Sequence, residues 1–198
     1  MFSKYKRFIE KHTSLNFIEW NIIKAKLKII HFKKGEIIHN IGDTPSKLLF
    51  INSGLARSYL ISEKGKDNTW LLYFNDEDSH VVNHFVVDYD AFIHQTPSQL
   101  EIEALEDCEI IATVYKDVEF IYNNTKKGDR FGRLMAQEAY GFLHNYTVSR
   151  QTKSAKERFV EFVETMPHLL DKVPQYHTAS YLGITPQHLS RLKKEFQD

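Results

Sequence analysis

The sequence lacks the features that would mark a membrane, secreted or redox protein. No apolar run approaches the roughly 18–20 residues that a helix needs to span a bilayer. The basic N-terminus is not followed by the apolar segment of a signal peptide. Cys108 is the only cysteine, so it excludes an internal disulfide and cannot by itself ligate an iron–sulfur cluster. These absences predict a cytoplasmic protein without a cofactor.

The net charge is zero, but the charged residues are distributed unevenly along the chain. Residues 1–125 contain 14 Lys/Arg against 18 Asp/Glu, whereas residues 126–198 contain 12 against 8. An acidic N-terminal part joined to a basic C-terminal part fits a sensor attached to a domain that binds a polyanion. The hydrophobic content of 42% is sufficient for a packed core.

Short strands dominate the first part of the chain, after two predicted short helices in residues 1–25. Segments rich in Ile, Leu, Phe and Tyr alternate with glycine-containing separators, which supply the positive φ angles of tight hairpins. The predicted strands are 26–32, 36–40, 47–52, 55–61, 68–74, 98–105 and 108–114. Short strands at this spacing predict an antiparallel β-roll or jelly roll, and the helical pattern after residue 114 makes the fold class α+β.

Helices are predicted at 116–124, 129–151 and 154–165, with Lys126-Lys127-Gly128 as a break between the first two. The middle helix would span about 35 Å, which is longer than a small barrel is wide. Part of its apolar stripe is therefore expected to contact a second copy of the chain. The residues predicted for this dimer helix are Phe131, Leu134, Met135, Phe142 and Tyr146.

Residues 175–194 meet the requirements of a helix-turn-helix. A small residue is needed where the two helices cross, and Ala179 occupies that position. Gly183 tolerates the left-handed conformation of the turn, while Thr185 and Pro186 suit the start of the second helix. The residues predicted to pack the motif are Ala179, Leu182, Gly183, Ile184, Leu189 and Leu192.

The outward face of the second helix carries side chains suited to DNA. Gln187 can bond adenine and Arg191 can bond guanine, each with two hydrogen bonds. Residues predicted to hold phosphates or support this face are Thr185, Ser190, Lys194 and Gln175. The alternative is an ordinary helical hairpin with a solvated polar face.

Three local motifs, taken in order, resemble the Crp/Fnr superfamily of transcription regulators. They are Lys34-Gly35-Glu36-Ile37-Ile38 with Gly42-Asp43, then residues 48–54, Leu-Leu-Phe-Ile-Asn-Ser-Gly, then residues 103–108, Glu-Ala-Leu-Glu-Asp-Cys. The resemblance covers most of the chain and implies an eight-stranded β-roll at 1–125, a dimerisation helix at 126–151 and a DNA-binding domain at 152–198.

The resemblance also implies a function. The chain would act as a homodimer on a near-palindromic site in double-stranded DNA, with base contacts from Gln187 and Arg191 and further candidates at Pro186 and His188. RNA polymerase is a candidate partner. A small-molecule effector of unknown identity would bind the β-roll.

Two departures from the family pattern limit what can be carried over. Cyclic-nucleotide binders of this family have a Phe-Gly-Glu-Leu cassette and a following Arg that pairs with the phosphate. The corresponding residues 76–85 contain no Gly-Glu pair, and no arginine lies between Arg57 and Arg130. We therefore expect that cyclic AMP does not bind in the family's manner. Only a short link separates Leu170 from Tyr176, so the β-hairpin wing of some family members is expected to be missing.

Other candidate sites have weaker support. Arg57, Tyr59, Trp70 and His84 are weak candidates for an effector pocket, with ordinary core packing as the alternative. His80 and His84 have the i, i+4 spacing of metal ligands, and His94 lies nearby. Because ten histidines in 198 residues produce such spacings freely, no metal site is predicted.

No catalytic residues are predicted, since no nucleophile–base pair or phosphate loop is recognisable in the sequence. Two alternatives to a DNA-binding regulator remain. One is a ligand-binding β-roll whose C-terminal helices are only a scaffold. The other is a cupin-like metalloenzyme, which would need clustered histidines and carboxylates on facing strands.

Overall fold

A computed structural model describes residues 1–76 and 84–197, which form a β-roll followed by a helical C-terminal region. Seven strands lie in this described part: β1 Lys28–Phe32, β2 Ile37–His39, β3 Lys47–Ser53, β4 Leu55–Ile61, β5 Asp67–Phe74, β6 Glu101–Ala104 and β7 Cys108–Val114. They build two antiparallel sheets, with strand orders β1-β7-β3 and β2-β6-β4-β5. All seven predicted strands are confirmed, and so is the α+β fold.

The helices follow the predicted order, with a shifted break and two additional short helices. They are α1 Ser3–His12, α2 Phe17–Lys24, α3 Tyr89–His94, α4 Tyr115–Asn124, α5 Lys126–Thr152, α6 Ala155–Thr165, α7 Leu169–Lys172, α8 Gln175–Leu182 and α9 Pro186–Gln197. The predicted break at 126–128 is wrong, because the Thr125 side chain accepts a hydrogen bond from the Gly128 N–H and starts α5 there. The short helices α3 and α7 were not predicted, and α7 lies in the link where no wing was expected. Within the described ranges, no helix is long and apolar enough to cross a membrane.

Buried side chains occupy most of the space between the two sheets. Ile51, Ile102 and Ile110 are fully buried there, and Tyr73 donates a hydrogen bond of 3.0 Å to the Ser58 hydroxyl. This close packing is the usual content of a small β-barrel. The β-roll interior is therefore occupied by core residues at these positions.

The three-stranded sheet is covered on its outer face by α1 and the first half of α5. Phe131 and Met135 of α5 are 8% and 6% exposed, and they belong to one apolar cluster with Phe50 and Ile111 of the sheet. Burial of large side chains of this kind stabilises a fold by about 1.5–3 kcal/mol each. The first half of α5 is thus held to its own β-roll.

The four-stranded sheet is covered on its outer face by the C-terminal helices. Leu55 and Phe74 of this sheet share a buried cluster with Phe159 and Phe162 of α6. Side chains of α8 and α9 belong to the same cluster. One continuous core therefore joins the β-roll to the helix-turn-helix region.

Candidate nucleic-acid interface

Helices α8 and α9 form a helix-turn-helix around Gly183. This glycine has φ +69°, a left-handed conformation that favours glycine. The N–H groups of Gly183 and Ile184 both bond to the Ala179 carbonyl, which ends α8 and turns the chain. Ala179 is fully buried where the helices meet.

The start of α9 is fixed by local hydrogen bonds. The Thr185 hydroxyl accepts a bond of 3.2 Å from the His188 N–H, and Pro186 opens the helix. The Gln175 side-chain amide donates to the Pro186 carbonyl at 2.9 Å, which joins the first turns of α8 and α9. Leu182, Leu189 and Leu192 are buried between the helices and the core, and Ile184 is half-buried.

The outer side of α9 presents the polar residues that the sequence predicts for DNA. Gln187, Arg191 and Lys194 are exposed and follow one another at i, i+4 and i+7, so they share a helix face. Ser190 is also exposed, and His188 is half-buried. Within the described residues, no hydrogen bond or ion pair occupies the side chains of Gln187, Arg191 or Lys194.

Two arginines that the sequence analysis did not assign hold the C-terminal end of α8. The Arg150 guanidinium donates to the Tyr181 carbonyl at 2.9 Å, and Arg158 donates to the Leu182 carbonyl at 3.0 Å. Cations at this end of a helix satisfy its free carbonyls. They therefore fix the turn of the motif relative to α5 and α6.

Helix α8 is also bonded to strand β5, at the end of the four-stranded sheet. The Thr69 N–H donates to the Ser180 hydroxyl at 2.9 Å, and the Tyr176 hydroxyl donates to Asp67 at 2.9 Å. No sequence pattern indicated these contacts, because the residues are more than 100 positions apart.

Arg57 lies beneath this contact and is 3% exposed. Its guanidinium donates to Glu103 at 2.6 Å and to Asp67 at 2.5 Å, and it lies 4.2 Å above the Tyr59 ring. Partial burial opposes ionisation of Asp67, but hydrogen bonds from Arg57 and Tyr176 outweigh it and lower the pKa of Asp67. Two carboxylates therefore compensate the charge of Arg57, which is one of the four weak candidates for an effector pocket.

The four weak effector candidates do not line one pocket. Tyr59 stacks on Arg57 and hydrogen-bonds to Glu101. Trp70 packs edge-on against Tyr146 of α5. His84 stacks on Phe50 at 5.2 Å, on the side that α1 covers. These side chains serve packing and ion pairing in the described structure.

The histidines considered for a metal site are also apart. His84 is buried in the aromatic cluster, whereas His94 is on α3 and pairs with Asp90. His80 lies outside the described residues. Within residues 1–76 and 84–197, no group of three or more His, Cys, Asp or Glu side chains is arranged to hold a metal ion.

His84 should make stability depend on pH. Burial, followed by the nearby charges of Lys11, Lys4 and His12, lowers the pKa of His84 to about 4. The unfolded chain therefore takes up a proton near pH 6.5 while the folded chain does not. We expect the free energy of unfolding to fall by about 1.4 kcal/mol per pH unit from this group as pH drops from 6.5 towards 4.

The measurement is urea denaturation at a series of pH values, compared between the parent chain and His84→Phe. Phenylalanine keeps the stacked ring and removes the titration, so the stability difference between the two should change over this pH range. Parallel pH profiles for the two proteins would contradict the assignment.

Together, a β-roll, a long helix and a helix-turn-helix with an exposed polar face form the architecture of a DNA-binding transcription regulator. Residues 29–125 match the cyclic nucleotide-binding domain family. Over 190 residues the chain is 26% identical to the fumarate and nitrate reduction regulatory protein of Yersinia pestis, covering 89% of this chain and 70% of that protein. The chain thus has a match to the cyclic nucleotide-binding domain family and is similar over most of its length to a transcription regulator of the Crp/Fnr type.

Solved structures agree with the fold. FixK2 from Bradyrhizobium japonicum superposes with a TM-score of 0.71 at 17% identity, covering 86% of this chain and 84% of that one. A putative Crp/Fnr regulator from Eubacterium rectale gives a TM-score of 0.67 at 22% identity, covering 92% and 84%. These similarities confirm the predicted architecture.

Proposed function

We propose that a homodimer of this chain binds a near-palindromic site in double-stranded DNA through α9, with Gln187 and Arg191 contacting base edges. The observation that carries this proposal is the exposure of both side chains on a helix whose start and crossing are fixed by Thr185 and Ala179. Lys194 and Ser190 on the same face suit phosphates. RNA polymerase stays a candidate partner, and the boundaries at 125 and 151 stay predictions.

The dimer surface that we propose differs from the residues predicted for it. Phe131 and Met135 are buried against the chain's own β-roll, Leu134 packs on the same cluster, and Phe142 stacks with Tyr146 beside α8. All five predicted residues therefore have partners within the chain. The reason is that α5 carries two stripes of residues on different sides. The stripe that contains the five predicted residues packs within the chain.

The second stripe of α5 is exposed. We call it the exposed α5 stripe, and its members are Ala136, Tyr140, Leu143 and Thr147. Tyr140 is 71% exposed and Leu143 is 39% exposed. The spacing of four, three and four residues is that of a coiled-coil contact, and it lies about 130° around the helix from Phe131 and Met135. Two copies of α5 pairing along this stripe would leave both β-rolls in place.

Arg191→Ala should weaken binding to the specific site by about 1–3 kcal/mol and relax the preference at one base pair. The site is first obtained by selecting bound fragments from genomic DNA and footprinting them, which should reveal half-sites about one helical turn apart. Titration of single-base variants then measures the change.

Arg130→Ala is the matched control, because Arg130 is an exposed arginine on α5, away from α9. It should leave the base preference unchanged. If Arg191→Ala instead weakened binding equally for all sequences, Arg191 would be a phosphate contact. If binding showed no salt dependence, DNA binding itself would be rejected.

We further propose that cyclic AMP does not control this protein in the family's manner. The positions that would correspond to the phosphate cassette include 77–83, which lie outside the described residues, so the support comes from the sequence and from Arg57. Its guanidinium is already held by Asp67 and Glu103. Calorimetry with cyclic AMP should show no micromolar binding, and a saturable micromolar isotherm would contradict this.

A further inference from the structure

A cavity of about 210 Å³ lies where α5, α6 and α8 meet, away from the β-roll interior. Its apolar wall is aromatic and its rim is basic. The residues used in the argument are Phe142, Tyr146, Phe162, Tyr181, Arg150 and Arg158. The sequence analysis gave no role to Arg150 or Arg158, and the DNA-binding proposal does not use the cavity.

The rim carries positive charge that no carboxylate compensates. Arg150 and Arg158 donate to main-chain carbonyls, and within the described residues neither has a carboxylate oxygen within 4.0 Å. The one acid that lines the cavity is Glu161, which accepts from Ser149 at 2.6 Å and pairs with Lys153 at 3.0 Å. Two guanidinium groups beside an apolar cavity form a suitable site for an anion.

The size of the cavity limits the apolar part of a ligand. A cavity of about 150 Å³ lined by apolar side chains holds a benzene molecule. This one is somewhat larger, and four aromatic rings favour offset or edge contacts with another ring. From the shape and the charge we infer that the cavity binds a small aromatic carboxylate of one or two rings, with its ring among the aromatic side chains and its carboxylate on Arg150 and Arg158.

The cavity is compatible with the proposed dimer. Asn145 and Ser149 line it and project on the side of α5 nearly opposite Leu143 and Thr147 of the exposed α5 stripe. A partner helix on the stripe would therefore face away from this wall of the cavity, and only Arg150, seven residues after Leu143, lies beside the C-terminal end of the stripe.

Occupation of the cavity would act on the helix-turn-helix, and this part of the inference rests on the proposed function. A carboxylate competes for the N–H groups that now hold the Tyr181 and Leu182 carbonyls at the end of α8. The ligand would thus change how firmly the turn at Gly183 is held. Ligand affinity and DNA affinity would be linked by the same factor in both directions.

Binding is tested on the full chain without DNA, so its failure is distinguishable from failure of the DNA-binding proposal. The probes are benzoate and indole-3-carboxylate, with benzamide and indole-3-carboxamide as their uncharged counterparts. Isothermal titration calorimetry should give saturable binding of at least one acid, with its amide about tenfold weaker or more. Equal affinity for acid and amide, or no saturable binding of either acid up to about 5 mM, would overturn the inference.

Variants locate the site. Arg150→Met with Arg158→Met should weaken acid binding by about tenfold or more, whereas Arg130→Met, an exposed arginine of α5 outside the cavity, should leave it unchanged. Because the double variant could loosen α8, Asn145→Trp is the second test: it keeps both arginines and fills the cavity, so binding should be lost. Undiminished binding in Asn145→Trp, or an equal loss in Arg130→Met, would overturn the assignment of the site.

Discussion

Replacing Arg57 by methionine is expected to lower the free energy of unfolding by about 3–5 kcal/mol. The guanidinium is almost completely buried and bonds to two carboxylates and to the Thr69 hydroxyl. Its removal leaves Asp67 and Glu103 as partly buried negative charges without a cationic partner. The cost comes mainly from these uncompensated charges rather than from the lost bonds.

Chemical denaturation measures this change, with Lys33→Met as the control. Lys33 pairs with Asp107 at 2.7 Å, but both side chains are more than 60% exposed, so the loss of this pair should change the free energy of unfolding little. A triple variant, Arg57→Met, Asp67→Asn and Glu103→Gln, should recover part of the stability because it also removes the two uncompensated negative charges. A cost for Arg57→Met as small as that of the control would show that the buried network does not stabilise the fold.

Introducing two acids on the exposed α5 stripe is expected to abolish the dimer. Tyr140→Glu with Leu143→Glu would place like charges on both sides of the proposed contact, while the internal face of α5 keeps its packing. Each half-site would then be bound independently, and the affinity for the full site should fall by about 10²–10⁴-fold, the usual gain from linking two binding modules.

Analytical ultracentrifugation gives the oligomeric state, and titration of the footprinted site gives the affinity. Phe120→Glu is the matched control, since Phe120 is 56% exposed on α4 and lies outside the stripe. Circular dichroism should show that all three proteins remain folded. A double variant that stays dimeric at micromolar concentration would move the dimer surface elsewhere.

The strands and the helix-turn-helix could be predicted from the sequence, whereas the packing partner of α5 could not. The β-strands were predictable because glycine-containing turns interrupt short apolar runs, and the helix-turn-helix because its turn requires Gly183 and its crossing requires Ala179. For α5 the helical period revealed an apolar stripe but not its partner. The outer face of the three-stranded sheet determines that partner, and it takes Phe131 and Met135.

The contacts of α8 with the β-roll could not be predicted for a related reason. Arg57, Tyr176 and Ser180 are ordinary polar residues in the sequence, and no local rule joins them. Their roles arise from the packing of the C-terminal helices on the four-stranded sheet, which brings Asp67 and Thr69 beside α8. The arginines at the end of α8 were missed in the same way.

The bond between the Thr69 N–H and Ser180 has a consequence for solubility. Among the strands of the described residues β5 lies at the edge of its sheet, and edge strands with free N–H and C=O groups pair readily with strands of other molecules. In this structure α8 covers the edge of β5. The helix-turn-helix region therefore also protects the β-roll against aggregation through that edge. Any rearrangement that lifted α8 from β5 would expose a template for intermolecular β-pairing.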